Sequence, residues 1–345
     1  MATVIPLRNR PVVHARGRRG SSLGGPRDMA PGVTNAPERP KISATGIAVG
    51  RAGRHHGEIL QGLWWQPSEA RADPIPCLVT LPVPGTGTEA HFRLTPGRRI
   101  VVHPTNRVKA ARAARLALDA LDATASGGLL HLNSSIPIGL GMGSSTSDVL
   151  ATLRAVCDAC GAQADATLLA QLAVRAEAAA DPLMFDSAVL FAQREGHILE
   201  DWGRWFPDFL LLSIDTEPRS GGHDTLGLPV PNGAAMRDEY TGLVQQARAA
   251  FQARDADAVA AAATRSAELN QRIVPLRGFE DLRMLAATSG ALGLQISHSG
   301  TVAGLLFDPL IVRHTLKPLL TQLRARQMAP LGIFRTGCDT SGGTA

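Results

Sequence analysis

The sequence predicts a mixed α+β protein in two domains, and three observations carry that expectation. At 345 residues the chain exceeds the size at which a single hydrophobic core usually suffices. Segments of helical period alternate with short β-like runs, an order that fits helices packed on mixed sheets. Hydrophobic residues reach 44% while aromatics supply only 4%. Such a core of small aliphatic side chains suits α/β layers better than an aromatic-rich β-sandwich.

Residues 1–40 are rich in Arg, Gly, Pro and Ser without hydrophobic period and read as a disordered, solvated basic extension. Arg8, Arg10, Arg16, Arg18, Arg19 and Arg27 supply much of the net charge of +5. Such an arm can attract nucleic acid or anionic lipid, yet its composition is that of a solvated tail, and neither nucleic acid nor membrane is expected as a partner. No apolar run is long enough to span a bilayer, and no charged, apolar and cleavage regions follow one another as in a secretory leader. Four cysteines in the whole chain suit a reducing cytoplasm. Cys157 and Cys160 have CxxC spacing, but no second pair completes a zinc set, and both read as small buried hydrophobes.

Folded sequence is expected from about Ile42. Residues 91–94 (HFRL) and 99–103 (RIVVH) read as short strands between Pro-rich connections. Over 108–121, Val108, Ala111, Ala114, Leu118 and Leu121 share one helical face, and Arg107, Lys109, Arg112 and Arg115 point elsewhere. A strand at 129–133 leads into the Gly/Ser loop 137–148 (PIGLGMGSSTSD). A helix bearing Val149, Leu150, Leu153, Val156 and Cys157 on one side follows, and another covers 166–180. The buried strand 209–214 opens a second domain with helices at 239–254, 257–272, 279–287 and 309–326 and strands at 293–297 and 302–307. The expected boundaries are 1–40, 41–203 for an N-terminal domain, 204–336 for a C-terminal domain and 337–345 for a flexible tail.

The loop carries the functional reading. A helix N-terminus presents unpaired backbone N–H groups and the positive end of a dipole, which together make an anion site. Gly139, Gly141 and Gly143 remove side chains where backbone must wrap phosphates, and Ser144, Ser145 and Thr146 add hydroxyls for phosphate oxygens or Mg²⁺. Asp148 is expected in the first helical turn, where a carboxylate suits the dipole. The spelling is not a P-loop, because no Lys follows the glycines. Nor is it a dinucleotide fingerprint, since GxGxG followed by hydroxyl residues lies far into the chain.

The loop resembles the second motif of the GHMP kinases, named for galactokinase, homoserine kinase, mevalonate kinase and phosphomevalonate kinase. Met142 stands where Leu is commoner, between Pro137, Leu140 and the glycines. The segment 298–308 (HSGTVAGLLFD) is similar to the family's third motif, and 53–62 (GRHHGEILQG) resembles the first motif of the L-threonine kinases of cobalamin nucleotide-loop synthesis. This resemblance implies a two-domain fold with an N-terminal ATP-loop domain on a mixed sheet and a ferredoxin-like C-terminal domain. It also implies ATP and Mg²⁺, a small-molecule hydroxyl acceptor, most simply L-threonine, and a cytoplasmic enzyme. Other GHMP acceptors (homoserine, a sugar, a specialised metabolite) or a non-catalytic nucleotide-binding regulator are the alternatives.

Phosphoryl transfer needs positioning, charge stabilisation and sometimes a base for the hydroxyl proton. The segment 177–189 offers Glu177, Asp181 and Asp186. The resemblance makes Asp181 or Asp186 the residue facing the acceptor and leaves the choice open; it makes Ser145 and Glu177 the metal ligands. Glu58 suits an ammonium group, and His55, His56, Ser299, Gly300 and Thr301 are candidate nucleotide or acceptor contacts. Arg219, in a loop after a buried strand, is a candidate partner for a carboxylate.

Overall fold

A computed structural model describes residues 46–66, 73–218, 227, 233–298, 301–311 and 316–337. Its first element is a long antiparallel pair, β1 (Ala48–Trp64) and β2 (Ile75–Pro96). The sequence hides most of it. Gly, Arg and His interrupt the hydrophobic alternation of β1, and Pro82 and Pro84 sit inside β2. The ladder absorbs these residues through register shifts at Ala52/Arg54, His55/Glu58 and Glu58/Leu60.

β4 (Ser126–Ser134) pairs with the distal half of β2, and β3 (Ile100–His103) runs parallel to β4. The helices α1 (Val108–Ala120), α2 (Ser144–Ala159) and α3 (Ala166–Glu177) contribute to one core with these strands. Phe92, Leu118, Leu150 and Leu153 are fully buried in it, each stabilising the fold by roughly 1.5–3 kcal/mol relative to an exposed position. α3 ends at Glu177 rather than continuing to Ala180, because Ala178 turns left-handed at φ +70°. β5 (Val189–Ala192) and β6 (His197–Asp201) form a hairpin attached to the proximal half of β2.

β7 (Leu210–Asp215) follows, and the boundary expected at 203/204 falls in the connection between β6 and β7. The helices α4 (Ala234–Ala253), α5 (Ala256–Asn270) and α6 (Phe279–Ser289) then lead to β8 (Gly293–Ile296) and β9 (Val302–Phe307). α7 (Lys317–Ala325) and β10 (Ala329–Arg335) close the described chain. The sheet order is β10-β7-β9-β8-β1-β2-β4-β3, with ten strands when the β5–β6 hairpin is included. One register pair, Glu58 opposite Ile296, joins β1 to β8 and makes the sheet continuous. The sheet-level α+β expectation holds, and the seam between its two halves runs through Glu58.

Candidate active site

The loop before α2 has the backbone its glycines require. Gly139, Gly141 and Gly143 all take left-handed φ angles, +80°, +77° and +74°, a region in which a side chain is strained. Gly143 ends the loop as the N-cap of α2 and supplies no side-chain cap. Ser147 N–H is bonded back to the Gly143 carbonyl at 2.8 Å, so the preceding N–H groups of the first turn, on Ser144, Ser145 and Thr146, face outward as an anion site. Met142 is buried at the loop's base and Ile138 is exposed. A second demand falls on Gly143: a Cβ there would lie 2.3 Å from His55 Cδ2. The loop is therefore seated on the His55 imidazole.

His55 anchors a buried charge network. Its Nε2 lies 2.9 Å from Asp181 Oδ2, and its Nδ1 lies 3.3 Å from the Gly57 carbonyl and 3.7 Å from Glu58 Oε1. Burial alone would push the imidazole down; the Asp181 and Glu58 carboxylates outweigh it and raise His55 to about 9. For Asp181 burial raises and His55 lowers, and the net result is below the ordinary carboxylate range. Burial lifts Glu58 to about 8 against the pull of His55. At neutral pH the network is thus a protonated His55, an ionised Asp181 and a neutral Glu58. Candidate ligand atoms of these three groups lie within 4.8 Å of one another, and a cation binding there would have to displace the His55 proton.

Asp181 is also tied to the loop, since its backbone N–H donates to Thr146 Oγ1 at 3.3 Å. Its side chain is 22% exposed while that of His55 is 3% exposed, so the carboxylate is the part of the pair open to a small molecule. Oδ2 accepts from His55, and a side-chain hydrogen bond with Thr146 also favours the ionised carboxylate.

Beside it, Ser145 Oγ donates to Glu177 Oε2, and Lys109 Nζ stands 3.8 Å from the same oxygen. Glu177 Oε1 is buried without a hydrogen-bond partner. Burial raises Glu177 to about 7, with the Ser145 bond and Lys109 opposing and Asp181 adding to the lift. A serine hydroxyl and a carboxylate with an orphaned oxygen form a hard-oxygen donor set suited to Mg²⁺, so these residues fit the ion that the loop's resemblance implies.

Other candidates lie elsewhere. Asp186 is five positions from Asp181, but its side chain is 76% exposed, with Arg204 at 4.0 Å as its ion-pair contact. His56 is fully buried; its Nε2 is 2.7 Å from Ser213 Oγ and its Nδ1 bonds Gln295, and burial pushes it to about 3. This imidazole has both ring nitrogens partnered inside the protein, to Ser213 and Gln295. Thr301 is buried and donates to Asp215 Oδ1 at 2.6 Å, so its hydroxyl is committed inward. Ser299, Gly300 and Arg219 lie outside the described residues. Asp148 is not in the first turn of α2: it is buried, accepts from Thr88 Oγ1 at 2.7 Å and pairs with Arg107 Nε at 3.2 Å. Its role is to fasten the helix to β2 and the entrance of α1.

Other neighbours are legible in the sequence only as members of the first and third motifs, or not at all. His298 Nδ1 meets Gln61 Oε1 at 3.0 Å and its Nε2 faces Gln193 Nε2 at 3.4 Å, which links β1, the β5–β6 hairpin and the β8–β9 turn. Lys109 reads as a polar-face residue of an amphipathic helix. Only its place at the start of α1, aimed at the end of α3, gives it a charge partner in the site.

Residues 106–188 match the family model for the GHMP kinases N terminal domain, a span holding Lys109, the loop, Glu177 and Asp181. The chain is similar to an L-threonine kinase of Salmonella typhimurium, 30% identical over 204 residues, which are 58% of this chain and 65% of that protein. It is also similar to an L-threonine kinase of Citrobacter freundii, 30% identical over 183 residues, 52% of this chain and 62% of that one. The matches span slightly under two thirds of these relatives' length. Among solved structures, a homoserine kinase from Cytophaga hutchinsonii aligns with a TM-score of 0.60 over 85% of this chain and 95% of its own, at 16% identity, a likeness of fold. Over residues 106–188, which hold the loop, the chain is therefore similar to the N-terminal domain of the GHMP kinases, and its fold is similar to that of the solved homoserine kinase.

Proposed function

We propose that the protein is an ATP-dependent kinase that phosphorylates the side-chain hydroxyl of L-threonine or a closely related hydroxy amino acid. The observation that carries this reading is the convergence of an anion-binding helix start and an ionised, accessible carboxylate: Asp181 is bonded to Thr146 of the loop and to a protonated His55 behind it. The phosphates of ATP lie along Gly139–Gly143 and on the N–H groups opening α2, where the dipole and Lys109 stabilise their charge. Ser145 and Glu177 would hold Mg²⁺, which neutralises phosphate charge when bound.

Asp181 Oδ1 takes the proton of the acceptor hydroxyl, the hydroxyl oxygen bonds to the γ-phosphorus, and the bond to the β-bridging oxygen breaks to release ADP. His55 fixes the carboxylate's orientation and keeps it ionised through the 2.9 Å bond to Oδ2. The acceptor is drawn from the L-threonine kinase relatives, and a cytoplasmic location goes with the free, buried cysteines Cys77 and Cys157. The test is ADP release and product phosphate with L-threonine, L-serine, L-homoserine and galactose as acceptors. Turnover should be greatest with L-threonine and fall by roughly 10²–10⁴-fold in Asp181→Asn; an Asp186→Asn loss as large, with Asp181→Asn near wild type, would overturn the assignment of the base.

A further inference from the structure

The N-terminal half of the sheet has one face packed on helices and one face open. Ala90, Phe92, Leu130 and Leu132 belong to the core shared with α1, α2 and α3, so the residues that alternate with them face the other way. That open face carries His91 on β2, His131 on β4 and His103 on β3, outside the site built around His55 and Asp181.

The ladders align the three histidines. His91 stands directly opposite His131 in the antiparallel β2–β4 pair, and His103 stands opposite His131 in the parallel β3–β4 pair. Their side chains meet as well. The His103 and His131 rings stack with centroids 5.2 Å apart and planes 19° from parallel, and the His91 ring lies edge-on to His131 at 6.4 Å. Three imidazoles thus form one row across three adjacent strands, with His131 in the middle.

Their nitrogens are disposed as ligands. His103 and His131 are exposed, and among the described residues neither ring has a hydrogen-bond partner. His91 Nε2 lies 2.7 Å from Glu89 Oε1, and the other oxygen of Glu89 accepts from Arg51 Nε at 2.7 Å. The Arg51 and His91 bonds hold the Glu89 carboxyl below the usual carboxylate range, so it accepts the Nε2–H. A neutral His91 then carries its lone pair on Nδ1, and a carboxylate behind the ring is how proteins orient a ligating imidazole.

The row by itself gives the fold little, since like charges directly opposite across a ladder are destabilising once the rings are protonated. Neutral imidazole suits zinc and copper, whereas Mg²⁺ prefers oxygen. The ligand atoms stand further apart than the 4.8 Å that encloses those of His55, Glu58 and Asp181. Rotation of the exposed side chains gathers them on an ion, and water completes its shell.

We propose that His91, His131 and His103 form a surface site for a late first-row divalent cation, Zn²⁺ or Cu²⁺, with His131 as the central ligand and Glu89 orienting His91. The site is separate from the Ser145–Glu177 oxygen pair and does not depend on the kinase reading. A bound ion ties β2, β4 and β3 together at the end of the sheet.

The full chain is freed of metal with EDTA, dialysed and titrated with Zn²⁺ by calorimetry in saturating Mg²⁺. The proteins are wild type, His131→Asn, His103→Asn, Glu89→Gln and, for the buried cluster, Asp181→Asn. Electron paramagnetic resonance with Cu²⁺ counts the ligating nitrogens. Wild type should bind one Zn²⁺, couple Cu²⁺ to at least two nitrogens, and melt about 5 °C higher at a hundredfold excess over Kd. His131→Asn should weaken Zn²⁺ about a hundredfold, and His103→Asn and Glu89→Gln about tenfold each. Asp181→Asn should bind Zn²⁺ as wild type does. Metal-free melts, which these exposed substitutions should leave near wild type, separate loss of the ion from loss of the fold. Zn²⁺ affinity in His131→Asn within twofold of wild type overturns the proposal. So does a loss confined to Asp181→Asn, which would move the ion to the His55 cluster.

Discussion

The His55–Asp181 pair makes a stability prediction whose sign and pH window follow from the structure. His55 is buried and held at about 9 against an ordinary 6.5. Its folded-state value lies above its unfolded one, so its stabilisation is full below about pH 6.5 and is lost as pH rises through about 9. A lift of that size corresponds to on the order of 3 kcal/mol. Glu58, raised to about 8, titrates in the same window, so the comparison is made in a Glu58→Gln background, which removes one of the two carboxylates and leaves the Asp181 share. Urea unfolding is measured at pH 6.5, 8 and 9.5 for Glu58→Gln and for Glu58→Gln/His55→Gln. The single variant should lose on the order of 1 kcal/mol or more across the range. The double variant should show only the part common to both, including Glu177, which is raised to about 7. Parallel curves would show that His55 carries no charge against Asp181, and would refute the account of how the carboxylate is kept ionised.

Three further outcomes follow from the same geometry. Ser145→Ala and Glu177→Gln should each raise the Mg²⁺ concentration for half-maximal activity about tenfold with little change in folding, checked by a metal titration beside thermal melts. Gly143→Ala should abolish nucleotide binding in calorimetry, since the residue sits at φ +74° and its Cβ would lie 2.3 Å from the His55 ring. Arg107→Ala strands the Asp148 carboxylate, which is 4% exposed, and should cost about 3–5 kcal/mol in chemical unfolding, with Arg107→Ala/Asp148→Asn recovering part of it.

How far such a site can be read in advance depends on whether backbone or side chains define it. The Gly/Ser loop is legible because three left-handed positions demand three glycines directly before a helix start, whose N–H groups can take an anion. The strand carrying the first motif is not, because its polar and glycine residues break the alternation and only the irregular ladder with β2 restores it. Asp181 and Asp186 are equal in sequence; the turn at Ala178 and the residues after it send one to His55 and the other to solvent. His55 and His56 make the point most sharply. Adjacent and identical as letters, they lie in a strand, and a strand sends neighbours to opposite faces. One meets two carboxylates and is raised to about 9; the other meets a serine and a glutamine in an apolar layer and falls to about 3. Their charge states differ because the environment on each face differs, and each face is assembled from segments more than a hundred residues away. Local pattern can therefore announce that a doublet of histidines matters without saying which one holds a proton, and the ladder between β1 and β2 makes that assignment.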